Sequence, residues 1–284
     1  MKLKDSLQRT LKNTLLLMST ANPHFLLPKL FPNEIIFCKT MKDSQVPYTM
    51  EAFLHFCCSK NHLGPNLKTW CDCPVLTCPD QEVHIVDFLR GFTIKFELFT
   101  SFPVSHCWTT QNKNSSMPGT DSPNKPDIVC LDPVNLVDFR TILTILEVKS
   151  SAMTKSEIFQ LCAQRARLIF SSQDMRRFVV TSLLHQDELT IVLFDCGGSI
   201  VCHPFNIHSE PDTFARFVLG FLCATPPYLG YDPSVWTGAT WNLMFCHLQL
   251  HIKFTLFIST QIHGRGMVIW LAEVGPQSNL ANIH

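Results

Sequence analysis

Lys125-Pro-Asp-Ile-Val-Cys-Leu-Asp132 is followed, after a short connection through Asp132-Pro133, by Thr141-Ile-Leu-Thr-Ile-Leu-Glu-Val-Lys149. Each is an apolar run of strand length bounded by turn residues. Both carry charge where a buried strand should carry none. Asp127 heads the first run, directly after Pro126, and Glu147 and Lys149 end the second. Residues two apart on a strand leave the same face, so Glu147 and Lys149 point the same way. Pairing of the two runs brings Asp127 alongside them. Three charges so placed form either a structural cluster or a site, and the rest of the chain packs around this pair of strands.

Downstream, Thr154-Lys-Ser-Glu157 fits a capping box that opens a helix. Ile158, Leu161, Cys162 and Ile169 make its apolar face, and Gln160, Gln164 and Arg167 share another. A three-strand meander follows: Phe178 to Leu184, Leu189 to Phe194 and Ile200 to Ile207, with turns at His185-Gln-Asp-Glu188 and Cys196-Gly-Gly198. Ser209-Glu-Pro-Asp212 caps a second helix, whose face is Phe214, Phe217, Val218, Phe221 and Leu222. Pro226-Pro227 ends it, and Gly230-Tyr-Asp-Pro233 is a turn. Residues 251–273 read as strands around His263-Gly-Arg-Gly266, with a frayed polar tail after them.

Upstream, Val83 to Phe99 is apolar and aromatic. After Gly91 the alternation Phe92-Thr-Ile-Lys-Phe-Glu-Leu98 predicts a half-buried strand. Thr49 is the N-cap of a helix to Cys58, and Lys2 to Leu17 has the spacing of a short amphipathic helix. The expected fold class is α/β, a mixed β-sheet flanked by helices. Three regions result: an ill-defined helical and loop segment 1–82, an α/β module 83–235, and C-terminal strands 236–284.

The chain of 284 residues is 46% hydrophobic and 16% charged, which is the composition of a core-forming protein. Lys plus Arg and Asp plus Glu each number 23, so the net charge gives no pull toward nucleic acid or an anionic membrane. No apolar stretch reaches the ~18 residues of a membrane span. The 13 cysteines are an odd set, many inside apolar runs, which reads as buried thiols of an intracellular protein, in cytoplasm or nucleus. Cys71-Asp-Cys73 lacks the paired spacing of structural zinc, so the loop around it is read as one that holds thiols. Arg165, Arg167, Arg176 and Arg177 make the local basic cluster, read as a solvated helix end.

A Pro-Asp start with Glu-x-Lys on the next strand suits metal-dependent phosphodiester chemistry. Asp127 and Glu147 offer hard oxygens to Mg²⁺, which activates water and neutralises phosphate charge. Lys149 steadies the attacking water or the oxyanion, and Gln160 and Gln164 orient substrate. This arrangement resembles the PD-(D/E)XK nuclease-like superfamily across residues 83–207. The competing explanation is an edge ion pair between Glu147 and Lys149, worth ~0–1 kcal/mol at a surface. Two further fragments look like kinase motifs and fail on spacing. His185-Gln-Asp187 has Val192 where a catalytic loop needs Asn, and Asp195-Cys-Gly197 follows it within a single hairpin.

As an ordered set, Lys125-Pro-Asp-Ile-Val129, Leu146-Glu-Val-Lys-Ser150, the helix with Gln160 and Gln164, Arg176-Arg-Phe178, Leu193-Phe-Asp195 and Leu229-Gly-Tyr-Asp-Pro233 resemble the region before the kinase lobes of fungal-type protein kinases. His263-Gly-Arg-Gly266 with Val268-Ile-Trp270 looks like the start of that family's kinase N-lobe. The resemblance covers about residues 83–273, and Trp236 to Lys253 departs from it. It implies an accessory α/β module fused to a kinase domain, its partner in full-length relatives, with phosphoryl transfer as the family activity. A chain ending at His284 holds no Gly-rich loop, Lys, catalytic Asp and Asp-Phe-Gly in order, so the expectation is a truncated member without kinase activity.

Overall fold

A computed structural model describes residues 18–37, 48–74, 80–111, 114–120, 123–237, 241–245, 248–258 and 268–274. The expected helix at Lys2–Leu17, the His263-Gly-Arg-Gly266 segment and the tail from Gly275 lie outside the described residues.

The two quoted runs are strands β3 (Ile128–Leu131) and β4 (Ile142–Lys149), paired antiparallel with Ile128 opposite Leu146. The capping box forms as expected. Thr154 and Glu157 satisfy each other's backbone N–H groups and open helix α5 (Lys155–Ser172). That helix carries the chain across to β5 (Phe178–His185), which pairs parallel with β4. The β4-α5-β5 unit is the crossover that a parallel pair requires. The meander is also found: β5, β6 (Glu188–Asp195) and β7 (Gly198–Cys202) are antiparallel neighbours. With β1 (Met18–Ala21), β2 (Cys107–Thr109) and β8 (Phe205–Asn206) they make one mixed eight-stranded sheet, ordered β1-β7-β6-β5-β4-β3-β2 with β8 on β6.

The central strands are buried on both faces, so they read as apolar runs without alternation. One face meets α5: Ile145, Val179, Leu183, Val192 and Phe194 pack with Phe159, Cys162, Ala166 and Ile169. The other face meets four helices. These are α1 (Pro23–Leu30), α3 (Met50–Ser59, capped by Thr49 as its sequence predicts), α4 (Gln81–Thr100) and α6 (Pro211–Cys223); a one-turn helix α2 (Asn33–Ile36) follows α1. Helix α6 is their hub. Phe214, Phe217, Val218, Phe221 and Leu222 are all buried, and Gly220 leaves room for the Phe31 ring, which a Cβ would overlap. Its N-cap is Glu210, which makes no side-chain cap, and Pro211 fills the first turn.

The predicted strand at Phe92–Phe99 is a correction: the segment is the second half of α4. Ile85, Phe88, Leu89, Phe92 and Phe96 recur at helical spacing and are buried, while Ile94 and Leu98 are 54% and 62% exposed. The sequence alternation mixed one buried and one exposed face of a 20-residue helix, and a window of seven residues is too short to separate the two periods.

Beyond α6 a 3-10 turn (Pro226–Leu229) ends at Gly230, whose φ of 96° suits glycine. A separate antiparallel sheet follows, ordered β12-β11-β10-β9, from β9 (Val235–Thr237), β10 (Trp241–Phe245), β11 (Leu248–Ile258) and β12 (Val268–Val274). Asp232 N–H donates to Met175 O, and Thr255 Oγ1 bonds Asp174, which ties this sheet to the first. No described helix is long and apolar enough to cross a membrane.

Phe214 touches Trp70, Phe88 and Phe92, so Phe214→Ala is expected to cost about 3–5 kcal/mol in urea unfolding. A loss under about 1 kcal/mol would show that α6 is not the hub.

Candidate functional site

The sequence expectation about the charged strands is met in geometry. On β4, residues 145, 147 and 149 face α5, and Leu146 and Val148 face the aromatic side. Asp127 stands one residue before β3. Its Oδ2 accepts from Val148 N–H at 2.9 Å and from Lys149 Nζ at 2.6 Å. Lys149 Nζ also reaches Glu147 Oε2 at 3.1 Å. Asp127, Glu147 and Lys149 are therefore one cluster.

Its fourth member, Arg165, was not singled out from the sequence as a partner. It donates from Nε to Glu147 Oε1 at 2.7 Å, and its other nitrogens reach Asn124 Oδ1 and the Lys125 carbonyl. A signal existed. Arg165 lies three after Cys162 and four before Ile169, on the apolar stripe of α5, where a charge needs a partner. The solvated-helix-end reading fails for Arg165 and Arg176, which are both buried. Arg176 stacks on the Tyr231 ring at 3.9 Å and donates to the carbonyls of Ile142, Leu143 and Leu229 and to Gln173 Oε1. Burial holds its pKa below the usual value. Gln160 is exposed and donates to Ser156 Oγ at 3.3 Å, and Gln164 is half-buried. Among the described residues neither joins the cluster.

The electrostatics follow from depth. Glu147's side chain is 2% exposed and Lys149's is 30%. Burial pushes the Glu147 carboxyl pKa up, against the pull of Arg165 and Lys149. Burial draws the Lys149 ammonium down, but Glu147 and Asp127 together hold it above its ordinary value. Two carboxylates meet two cations, so the cluster is neutral. Each Glu147 oxygen faces one cation, and Asp127 Oδ2 already accepts two donors. Lys149 Nζ lies between Asp127 Oδ2 and Glu147 Oε2, at 2.6 Å and 3.1 Å. Among the described residues no three His, Cys, Asp or Glu side chains are grouped to hold a metal ion.

The kinase-like fragments are turns, as their spacing indicated. Asp187 lies between β5 and β6, and Asp195 Oδ1 accepts from the N–H groups of Gly197 and Gly198.

The sequence model of the family described as Fungal protein kinase matches residues 129–281, just over half of the chain. The match starts inside β3 and takes in Glu147, Lys149 and Arg165, with Asp127 two positions before it. No curated protein matches the chain.

Removing one partner of a buried pair leaves the other uncompensated. Arg165→Met is expected to cost about 3–5 kcal/mol at pH 7. It also raises the Glu147 pKa further. A raised folded-state pKa gives stability that is present below the unfolded value and lost as pH rises through the folded one. The deficit of the variant relative to wild type should therefore shrink from about pH 7 to about pH 5. Urea titrations at both pH values check this, and a deficit independent of pH contradicts it.

Proposed function

Since this chain belongs to the fungal protein kinase family, we propose that residues 83–235 are its accessory α/β module, which positions or regulates a kinase domain and transfers no phosphate itself. The observation that carries this is the internal neutralisation of the cluster. Lys149 and Arg165 take both Glu147 oxygens, and Lys149 takes Asp127 Oδ2, oxygens that a metal-dependent phosphodiesterase or nuclease would give to Mg²⁺. Such a cluster fixes strands β3 and β4 to α5. The four-stranded antiparallel sheet after Gly230 fits the opening strands of a kinase N-lobe, and its bonds to Asp174 and Met175 give the module a fixed hold on it.

An intracellular setting belongs to the same proposal. Cys57, Cys130, Cys162 and Cys202 are buried thiols. Burial pushes Cys57 and Cys162 up to about 12, so both stay protonated and inert. Neither membrane nor nucleic acid is invoked as a partner, in keeping with a net charge of zero.

The test combines two readouts on the purified chain. With labelled ATP and Mg²⁺, no phosphate is incorporated into itself or a generic substrate. In calorimetry with Mg²⁺ or Mn²⁺, wild type and Asp127→Asn give the same heat. Phosphate incorporation would overturn the non-catalytic assignment. A metal-binding heat that Asp127→Asn abolishes would favour the nuclease-like alternative.

A further inference from the structure

The turn between α3 and α4 is pinned to the module at one place. Leu63 and Trp70 form an antiparallel bridge, closed by Gly64 N–H to Thr69 O at 2.7 Å and Cys71 N–H to His62 O at 3.0 Å. Trp70 is 2% exposed, packed on Phe88 and Phe92 of α4 and Phe214 of α6. Its indole N–H donates to Ile207 O at 2.8 Å.

Two imidazoles complete the arrangement. His208 Nδ1 accepts the backbone N–H of Trp70 at 3.1 Å, so that nitrogen carries a lone pair. His208 Nε2 lies 3.5 Å from Asp187 Oδ1. His62 is 1% exposed, and its Nδ1 lies 3.0 Å from Asp72 Oδ2. A carboxylate only accepts, so the His62 proton sits on Nδ1. His62 Nε2 is buried and has no partner among the described residues. The ring is pressed against Phe88 and Phe92 and against Gly91, where a Cβ would come within 2.7 Å of Cε1. A second proton would place a charged N–H in that apolar pocket with no acceptor.

We propose that His62 forms a one-proton latch, which holds the Leu63–Trp70 turn against α4 and α6 while it is neutral and frees it on acidification, the sheet remaining folded. The surrounding groups act as follows. Asp72 on the same turn favours a charged His62, and Lys95 of α4 opposes it. Cys57 and Cys58 of α3 have their pKa values raised by burial and add no charge. Beside His208, Asp187 faces the ring from the β5–β6 turn, and Cys73 near Asp187 is pushed up to about 12, mainly by burial. Burial is the largest influence on His62 and lowers its pKa in spite of Asp72. A lowered folded-state pKa means that the stabilisation is complete above the ordinary value of about 6.5 and is lost as pH falls below it.

A histidine that must be neutral to latch, with an unlatched pKa of about 6.5, favours opening about tenfold at about pH 5.5. Hydrogen exchange on the full chain reads this directly, between about pH 7.5 and about pH 5.5 and corrected for intrinsic rates. The amides of Gly64, Trp70 and Cys71 should lose protection toward that tenfold limit, while those of β4 to β6 keep theirs. In His62→Gln the side-chain amide keeps a donor for Asp72 and cannot be protonated, and the pH-dependent loss should disappear. Asp72→Asn, at an exposed side chain, keeps the test open if the first variant fails to fold. It removes the support for a charged His62, so the loss should move closer to the tenfold limit. Unchanged protection of the three amides at low pH overturns the latch. So does simultaneous loss in β4 to β6, or a pH response the same as wild type in whichever variants fold.

Discussion

The charged cluster between β3, β4 and α5 is arranged around the burial of one carboxylate. Glu147 sits in the middle of the sheet with its side chain almost sealed from water. An isolated charge at that depth is not tolerated. Arg165 and Lys149 supply the counter-charge, and Asp127 in turn holds Lys149 and the Val148 N–H. The four members come from three pieces of chain: Asp127 from the approach to β3, Glu147 and Lys149 from the strand β4, and Arg165 from the helix α5. The electrostatic requirement therefore fixes the register of β3 on β4 and the seat of α5 on the sheet. The two apolar faces do the bulk of the stabilising, and a one-residue slip of β3 on β4 would also part Asp127 from the Val148 N–H and Lys149.

Given that frame, the chemistry of the cluster follows from who is already paired. The same residue types could serve a metal-dependent reaction or a structural knot. The second cation, Arg165, neutralises what Lys149 alone would leave half-compensated. The family match places the chain among fungal protein kinases, and Glu147, Lys149 and Arg165 sit in the portion of the match that precedes the antiparallel sheet. Thr255 of that sheet bonds Asp174, and Asp232, just before it, donates to Met175 O.

Much of this was legible in the residues. Apolar runs bounded by turns gave β3 to β7, the Thr154–Glu157 capping box gave the start of α5, and phenylalanines at helical spacing gave α6. Asp127, Glu147 and Lys149 were recognisable because charges in apolar runs violate a simple rule. Two things were hidden for physical reasons. The Phe92–Leu98 alternation satisfied a strand period over a window too short to reveal the helical one. Arg165 looked like one of four surface arginines, because whether a helical residue faces inward depends on the phase of the whole stripe. Arg176 was hidden for another reason: three of its hydrogen-bond acceptors are backbone carbonyls, which sequence does not mark.

The most direct measurement of the central claim is a double-mutant cycle of Glu147→Gln and Arg165→Met, with unfolding free energies from urea titration at neutral pH. If the buried charge organises the module, the two losses are strongly non-additive, with a coupling of about 1–3 kcal/mol. Losses that add to within about 0.5 kcal/mol would mean that Glu147 and Arg165 are independent, and the account of the cluster as the structural centre would be wrong.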